Sequence, residues 1–554
     1  MTGGERLCRV LEDLGIDTVF GLPGTQNVDF FDALRTSWLR TIVPTHELAA
    51  SFMANGYARA SGRPGVLVTI PGPGFTYALT GLAEAFLDSV PILHILGRPA
   101  RGPGRRFQLQ ALDQRAAVAP FVKRVFDAES PDEIESCAAE AHALCLSGEP
   151  GPVVLQVPNE LAEDSEPRPV LIAPAPPPTP PLGELENRLM QARRPLFYVG
   201  QGVFGAAAEL REIVEAMSIP VVTTTSGRGA LPESHPWAVP FDRGATEALN
   251  ELVESTDLVV AIGAKFSHNG ARGFRLRLPP DRLVRVDASA EVLESNYEAS
   301  MTLLADAPWL VRTLRDHVKA SDRPGRSSWT EEQVAEWRRR AFSGRESGSE
   351  PRVRGGLEPS TMSNFFGVLE RAMGPESCLV LDSGLHQMLG RKHFRVEKPR
   401  GLILPADLQA MGYALPAAIG AKLAVPDRRV VALLGDGGFA MSGLELTTAK
   451  REGVHLTVIV FNDGHYGMIR KQQLGAHGHV YGTQLRNPDF RRIAESVGAE
   501  YTRLDADAET TLAQAVRSKG VRVVEVRLRD KGRHRLRRVR HSLGHRLRSL
   551  LGRS

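Results

Sequence analysis

Residues 430–469 read VVALLGDGGFAMSGLELTTAKREGVHLTVIVFNDGHYGMI. An apolar run breaks at Gly435-Asp436-Gly437-Gly438, and a helical pattern follows from Ser442 to Arg451. A second apolar run, Leu456 to Phe461, ends in Asn462-Asp463-Gly464. Two short apolar runs joined by a helix-length segment predict a strand, a crossover helix and a parallel strand. Ligands of such units sit at the carboxyl ends of the strands, so the turns carrying Asp436 and Asp463 are expected side by side.

Two ligands compete for that crevice. Gly435, Gly437 and Ala440 satisfy the dinucleotide pattern G-x-G-x-x-A, and Asp463 could then hold a ribose hydroxyl. Yet Asp436, between the first two glycines, would turn its charge on the pyrophosphate. A hard divalent ion such as Mg2+, held by two carboxylates and a backbone carbonyl and completed by diphosphate oxygens, removes the repulsion. The stretch reads as a metal-diphosphate site.

Working outward, residues 358–530 form the unit that contains it. Before it stand the strand Cys378 to Leu381, ending in Asp382-Ser383-Gly384, and the helix-like run Ala410 to Ala421; Val521 to Val526 is a closing strand. Residues 1–165 alternate helical and strand patterns: Thr18 to Phe20, Arg40 to Val43, Gly65 to Ile70 and Pro91 to Leu96 read as strands, and Leu48 to Ala60 and Ala78 to Asp88 as helices. A proline-rich stretch, Ile172 to Pro181, is a stiff linker to a second α/β unit over 183–320. That unit opens with Gly200-Gln201-Gly202-Val203-Phe204-Gly205 after a strand, a full G-x-G-x-x-G. The next strand ends without an acid for a ribose, so close helix–strand packing is the expected use of those glycines. Residues 320–357, rich in Arg, Ser, Gly and Glu, read as a second linker with a short helix at Thr330 to Arg340. The fold class expected is α/β: three doubly wound parallel-sheet domains.

A chain of 554 residues has room for three domains, and 42% hydrophobic residues supply ordinary cores. No run of eighteen apolar residues predicts a membrane span, and the polar start does not resemble a signal peptide. Cys8, Cys137, Cys145 and Cys378 lack metal spacing and suit a reducing, cytoplasmic setting. The net charge of +4 conceals an asymmetry: residues 531–554 carry nine Lys/Arg and no acid, leaving the remainder at −5. Leu536, Val539, Leu543, Leu547 and Leu550 recur at helical spacing in that basic tail, which could meet a membrane surface or an acidic partner, or stay solvated. It lacks interleaved aromatics, and no nucleic acid is expected.

The motifs together resemble the thiamine-diphosphate enzyme superfamily, of the acetolactate synthase and pyruvate decarboxylase kind. They are Gly21-Leu22-Pro23-Gly24-Thr25, the string THELAASFMANGYARASG at 45–62, Phe107-Gln108 with Asp113-Gln114, MGYALPAAIGA at 411–421, Gly435-Asp436-Gly437 and Asn462-Asp463. The match covers about residues 3–530. The resemblance implies thiamine diphosphate and Mg2+ as cofactors, with Asp436, Asp463 and the His465 carbonyl as metal ligands. Gly384, His386, Gly437 and Gly438 would line the diphosphate. Gly24 lies in the motif expected on the pyrimidine side, the Gln409 carbonyl would receive the 4′-amino group, and Met411 would be the wedge under the bent cofactor. Glu47 is implied as the catalytic carboxyl at the pyrimidine N1′, where burial would raise its pKa. Gln108 would face the reacting carbonyl, with Phe107 beside it.

Departures bear on function. Asp463 stands where the family usually has Asn, Leu385 where the synthases often have Gln, and Gln472 where many have a bulky Trp. The flavin-contacting pattern of the synthases is replaced by Lys265-Phe266-Ser267-His268-Asn269, and a second one is reduced to Val286-Asp287-Ala288, which puts bound FAD in doubt. Arg470 and Lys471 could meet a substrate carboxylate or solvate a helix; His46 and His465 could shuttle protons or be structural. The resemblance implies decarboxylation of a 2-oxo acid and carboligation of the remaining fragment to an aldehyde or second 2-oxo acid. A non-oxidative decarboxylase, a flavin-using variant and a cofactor-binding protein without turnover stay open. It also implies a homodimer or homotetramer, in which Glu47 of one subunit meets the metal site of another.

Overall fold

The structure is a computed structural model describing residues 1–98, 108–130, 133–157, 178–241, 245–321, 327–342, 352–353, 361–505 and 507–529. Phe107, most of the proline-rich stretch, much of the second linker and the basic tail lie outside them. Three sheets organise the described residues. The first contains β1 (Thr18–Gly21), β2 (Arg40–Ile42), β3 (Gly65–Thr69), β4 (Ile92–Gly97), β5 (Val125–Asp127) and β6 (Val153–Val157), in the order β2-β1-β3-β4-β6-β5. The second contains β7 (Pro195–Val199), β8 (Val221–Thr223), β9 (Leu258–Ile262), β10 (Leu283–Asp287) and β11 (Met301–Leu304), ordered β11-β10-β9-β7-β8. Every named strand pairing in both is parallel.

The third sheet holds β12 (Arg352–Val353), β13 (Cys378–Leu381), β14 (Leu402–Ile403), β15 (Val430–Gly435), β16 (Leu456–Asn462), β17 (Glu500–Arg503) and β18 (Val521–Arg529). Its path runs β12-β18-β16-β15-β13-β14, with β17 paired to β18. Its core is parallel, and only the two-residue β12 joins antiparallel, at the edge. The apolar runs are the reason: β15 is buried over Val430 to Leu434, and β16 over Leu456 to Phe461, as strands covered by helices on both faces must be.

One boundary differs from expectation. The crossover begins at once as the helix Asp436–Ser442, passes through a 3-10 turn at Gly443–Glu445 and continues as Leu446–Arg451. Glycines are poor helix formers, which is why the pattern suggested a later start. Here Gly437 and Gly438 are buried and have neighbours, Tyr466 and Asp382, where a side chain would go. Packing overrides propensity.

The first and third units dock through the helices Glu47–Ser61 and Ala414–Ala424. Two glycines bring the backbones together: a Cβ on Gly56 would stand 1.9 Å from the Ala417 carbonyl oxygen, and one on Gly420 would stand 1.9 Å from the Met53 carbonyl oxygen. Tyr413 adds a hydrogen bond from its hydroxyl to Asn55 Oδ1 (2.7 Å), and its ring meets Phe52 edge-on. No helix among the described residues is long and apolar enough to cross a membrane.

Candidate functional site

Strands β15 and β16 pair with Gly435 opposite Phe461, so their terminal turns adjoin as the sequence predicted. Asp436 is buried, and its Oδ2 accepts the Gly464 N–H at 2.8 Å, tying one acidic turn to the other. Asp463 Oδ1 accepts the His465 N–H at 3.0 Å, and the His465 ring nitrogen Nδ1 lies 2.8 Å from the Asp463 carbonyl oxygen. Burial, and then the neighbouring Asp436, push the Asp463 carboxyl up to about 6. Burial also raises Asp436, against hydrogen bonds from Asn487 and the Gly464 and Gly437 amides. Two neighbouring acids, both held above the usual carboxylate range chiefly by burial, form a natural cation site. Among the described residues no three His, Cys, Asp or Glu side chains cluster for a metal. Two carboxylates and a carbonyl, with ligand oxygens to complete the shell, suit a hard cation such as Mg2+.

The surroundings are shaped for an anion carried by that cation. Gly384 has φ 143°, and a Cβ there would meet the His386 ring at 2.8 Å; a Cβ on Gly435 would meet the same ring at 3.1 Å. A Cβ on Gly437 would strike the Tyr466 ring at 2.8 Å. Burial lowers the His386 imidazolium to about 3, so the ring is neutral, and its buried Nε2 has no hydrogen-bond partner. That orphaned atom beside glycine backbone is what a polar ligand would satisfy. A cavity of about 220 Å3 opens here. It is lined by Gly384, His386, Gln409, Met411, Asp436, Gly437 and Gly438, together with Asp463 and His465, all nine of the residues expected from the third unit.

Gln409 and Met411 sit on the loop between β14 and the helix Ala414–Ala424. Gln409 takes φ 65° and Gly412 φ 77°, and the Gly412 and Ala414 amides both donate to the fully buried Asp382. Burial pushes Asp382 up to about 7 despite these bonds. Met411 reaches Gly437: a Cβ there would be 3.4 Å from the methionine Cε.

Gly24, Glu47 and Gln108 lie on the first sheet and are absent from that cavity's lining. Glu47 opens its helix after the N-cap His46, whose Nδ1 accepts the Leu48 N–H. It is half-buried in the single chain, not largely buried as expected, and its Oε1 stands 3.2 Å from where a Gly74 Cβ would lie. A Cβ on Gly24 would meet Ile70 at 2.6 Å, while Gln110, two residues after Gln108, packs over Gly72. The turn Ile70 to Gly74 thus gathers Gly24 and Glu47 at the carboxyl ends of the first sheet's strands, with the segment after Gln108 packed over it.

Sequence reading overlooked three contributors. Asn487 donates to Asp436 Oδ2 at 2.7 Å and to Asn462 Oδ1 at 3.2 Å, yet it sits in an irregular segment with no motif. Tyr466 walls the cavity. Asp382 was visible as a strand-end acid but not as the support of Gly412.

A larger cavity, about 270 Å3, lies among the three units and includes Gly200, Gln201, Gly202, Lys265, Asp287 and Arg400 in its lining. The glycines serve packing: a Cβ on Gly200 would be 1.8 Å from the Gly263 carbonyl oxygen. Lys265 is committed to Glu149 Oε1 (2.6 Å) and the Leu87 carbonyl, and Asn269 to the Ala406 carbonyl. Within the altered 265–269 segment, Lys265 and Asn269 thus spend their polar groups on their own chain.

Comparison with known proteins agrees with this geometry. The N-terminal TPP binding domain of thiamine pyrophosphate enzymes matches residues 1–117, the central domain of these enzymes residues 182–314, and the C-terminal TPP binding domain residues 382–526. The acetolactate synthase large subunit of Corynebacterium glutamicum is 33% identical over 521 residues, covering 90% of this chain and 82% of its own. The acetolactate synthase of Mycobacterium bovis is 32% identical over 537 residues, covering 92% and 84%. The acetolactate synthase isozyme 3 large subunit of Escherichia coli is 30% identical over 522 residues, covering 90% and 89%. Matched along all three of its units and over nine-tenths of its length, the chain belongs to the thiamine pyrophosphate enzyme family, among the acetolactate synthase-like members.

Proposed function

We propose that this chain decarboxylates a small 2-oxo acid and joins the remaining fragment to a carbonyl acceptor, an aldehyde or a second 2-oxo acid. The observation that carries the reading is the pair of acids, buried Asp436 and half-buried Asp463, at adjoining strand ends and framed by glycine backbone. Thiamine diphosphate, when bound, supplies the acidic thiazolium carbon at which a 2-oxo acid can lose CO2. Asp436, Asp463 and the His465 carbonyl hold Mg2+; Gly384, Gly437, Gly438 and the neutral His386 meet the diphosphate. The Gln409 carbonyl would accept from the cofactor's amino group, and Met411 would support its rings. Glu47 would hold a proton at the pyrimidine N1′. Gly24 belongs to the pyrimidine side, and Gln108 hydrogen-bonds the reacting carbonyl oxygen.

These roles need both half-sites, and among the described residues the cavity at Asp436 is lined by the third unit alone. Glu47 therefore serves the cradle of another copy, in a homodimer or homotetramer. The test is a panel of 2-oxo acids with thiamine diphosphate and Mg2+, with and without aldehyde acceptors, reading CO2 and product masses. Acyloin or 2-hydroxy-2-acyl acid products establish the carboligase. Aldehydes alone would make the chain a simple decarboxylase, and no CO2 from any acid would refute turnover.

A further inference from the structure

The loop that carries Gln409 and Met411 is gripped from outside its own unit. The helix Pro73–Leu87 of the first unit brings two acids one turn apart, Glu84 and the C-cap Asp88, against it. Glu84 Oε2 accepts the Ala410 N–H at 3.1 Å. Asp88 accepts the Ala406 N–H at 2.8 Å and the Asp407 N–H at 3.0 Å. Glu84 is 0% exposed and Asp88 5%. Arg59, from the helix Glu47–Ser61, pairs with Asp88, and its Nε donates to Asn55 Oδ1, the same atom that accepts the Tyr413 hydroxyl. The other oxygen of Glu84, Oε1, is buried and finds no donor among the described residues.

We propose that Glu84 is a positioning residue for the cofactor: with Asp88 it clamps the backbone of residues 406–411, and so sets where the Gln409 carbonyl and Met411 stand. The inference rests on the thiamine-diphosphate reading above. The charge arithmetic explains the chemistry. Arg59 is a cation facing this buried pair, and Tyr413 and Asp407 are further titratable neighbours. Burial first, and Asp88 second, push Glu84 well above the usual carboxylate range, which favours its neutral acid form. A proton on Oε1 directed at Asp88 satisfies the orphaned atom and leaves Oε2 to accept from Ala410. Two ionised carboxylates would repel across this contact and pull the loop's anchors apart.

Glutamine imitates a neutral acid at that position; aspartate is too short by a methylene, and alanine removes the contact. Wild type, E84Q, E84D and E84A are titrated with thiamine diphosphate and Mg2+, following the near-ultraviolet circular dichroism of the bound cofactor, and kcat is measured at saturation. E84Q is expected within about twofold of wild type, and E84D and E84A about tenfold weaker in cofactor affinity with an altered dichroism band. E84D and E84A matching wild type, or E84Q losing as much as E84A, would overturn the proposal. Should E84A not fold, the contrast between E84Q and E84D decides it. Wild type failing to bind the cofactor overturns the underlying reading, and the proposal with it; wild type binding with indifferent variants overturns the proposal alone.

Discussion

The two half-sites are built from the same kind of sheet edge but are finished to different degrees. On the third sheet, Asp436 is buried, Asp463 half-buried, and both are hydrogen-bonded and set in a cavity with glycine walls. On the first, Glu47 is half-buried, its neighbours His46 and Tyr77 are exposed, and among the described residues none of the other half shares a cavity with it. A metal-diphosphate cradle needs only fixed backbone and two acids, which one unit can supply. A catalytic carboxyl works in a dry site, and the single chain does not dry it.

The contrast breaks most sharply at Glu47. E47Q should retain cofactor binding and lose roughly 10²- to 10⁴-fold in kcat, measured by CO2 release, because it removes the proton holder and leaves the cradle intact. Mixing E47Q with D436A, each inactive alone, should restore about a quarter of wild-type activity by forming mixed dimers with one intact site. No recovery after co-refolding would place Glu47 and Asp436 of one chain in one site. A smaller effect comes from the contact that relates the halves. G56A forces a methyl into the Ala417 carbonyl and should cost about 3 kcal/mol, seen as a lower denaturant midpoint. An unchanged midpoint would mean that the two helices separate freely.

The smallest effect sharpens the finished half. With its carboxyl raised to about 6, Asp463 without metal is protonated at lower pH, and this group's contribution to stability fades as pH rises through about 6. Mg2+ must displace that proton, so its affinity should fall as pH drops below about 6. D463N should bind Mg2+ roughly tenfold more weakly at pH 8 and show a flatter pH dependence. Equal affinities and profiles by calorimetry would refute a ligand role for Asp463.

Much of this was legible in the chain. Period and punctuation located β15 and β16, and the charge of Asp436 argued for a metal before any likeness was considered. The opening of the Glu47 helix and the turn after β13 were equally clear. What remained hidden depends on distance in sequence. Asn487 reaches Asp436 from 51 positions away, and Glu84 meets Ala410 across 326. Neither has a local pattern, because a polar side chain in a loop or on a helix looks like a solvated one until its partner is known. The extent of Glu47's burial was misjudged for a related reason: it depends on what covers the sheet edge, which the order of residues does not state.

The reciprocal contact of Gly56 with Ala417 and of Gly420 with Met53 carries a consequence for how the protein is made. Roughly 360 residues separate the partners, so at about 5–20 residues per second the helix Glu47–Ser61 waits some 20–70 s on the ribosome before its mate emerges. Throughout that interval Ala50, Met53, Ala54 and Gly56 present a smooth, small-residue face to the cell. Synthesis of this chain thus includes a window in which its first unit is complete but unshielded, and chaperone depletion or a stalled ribosome should injure it there first.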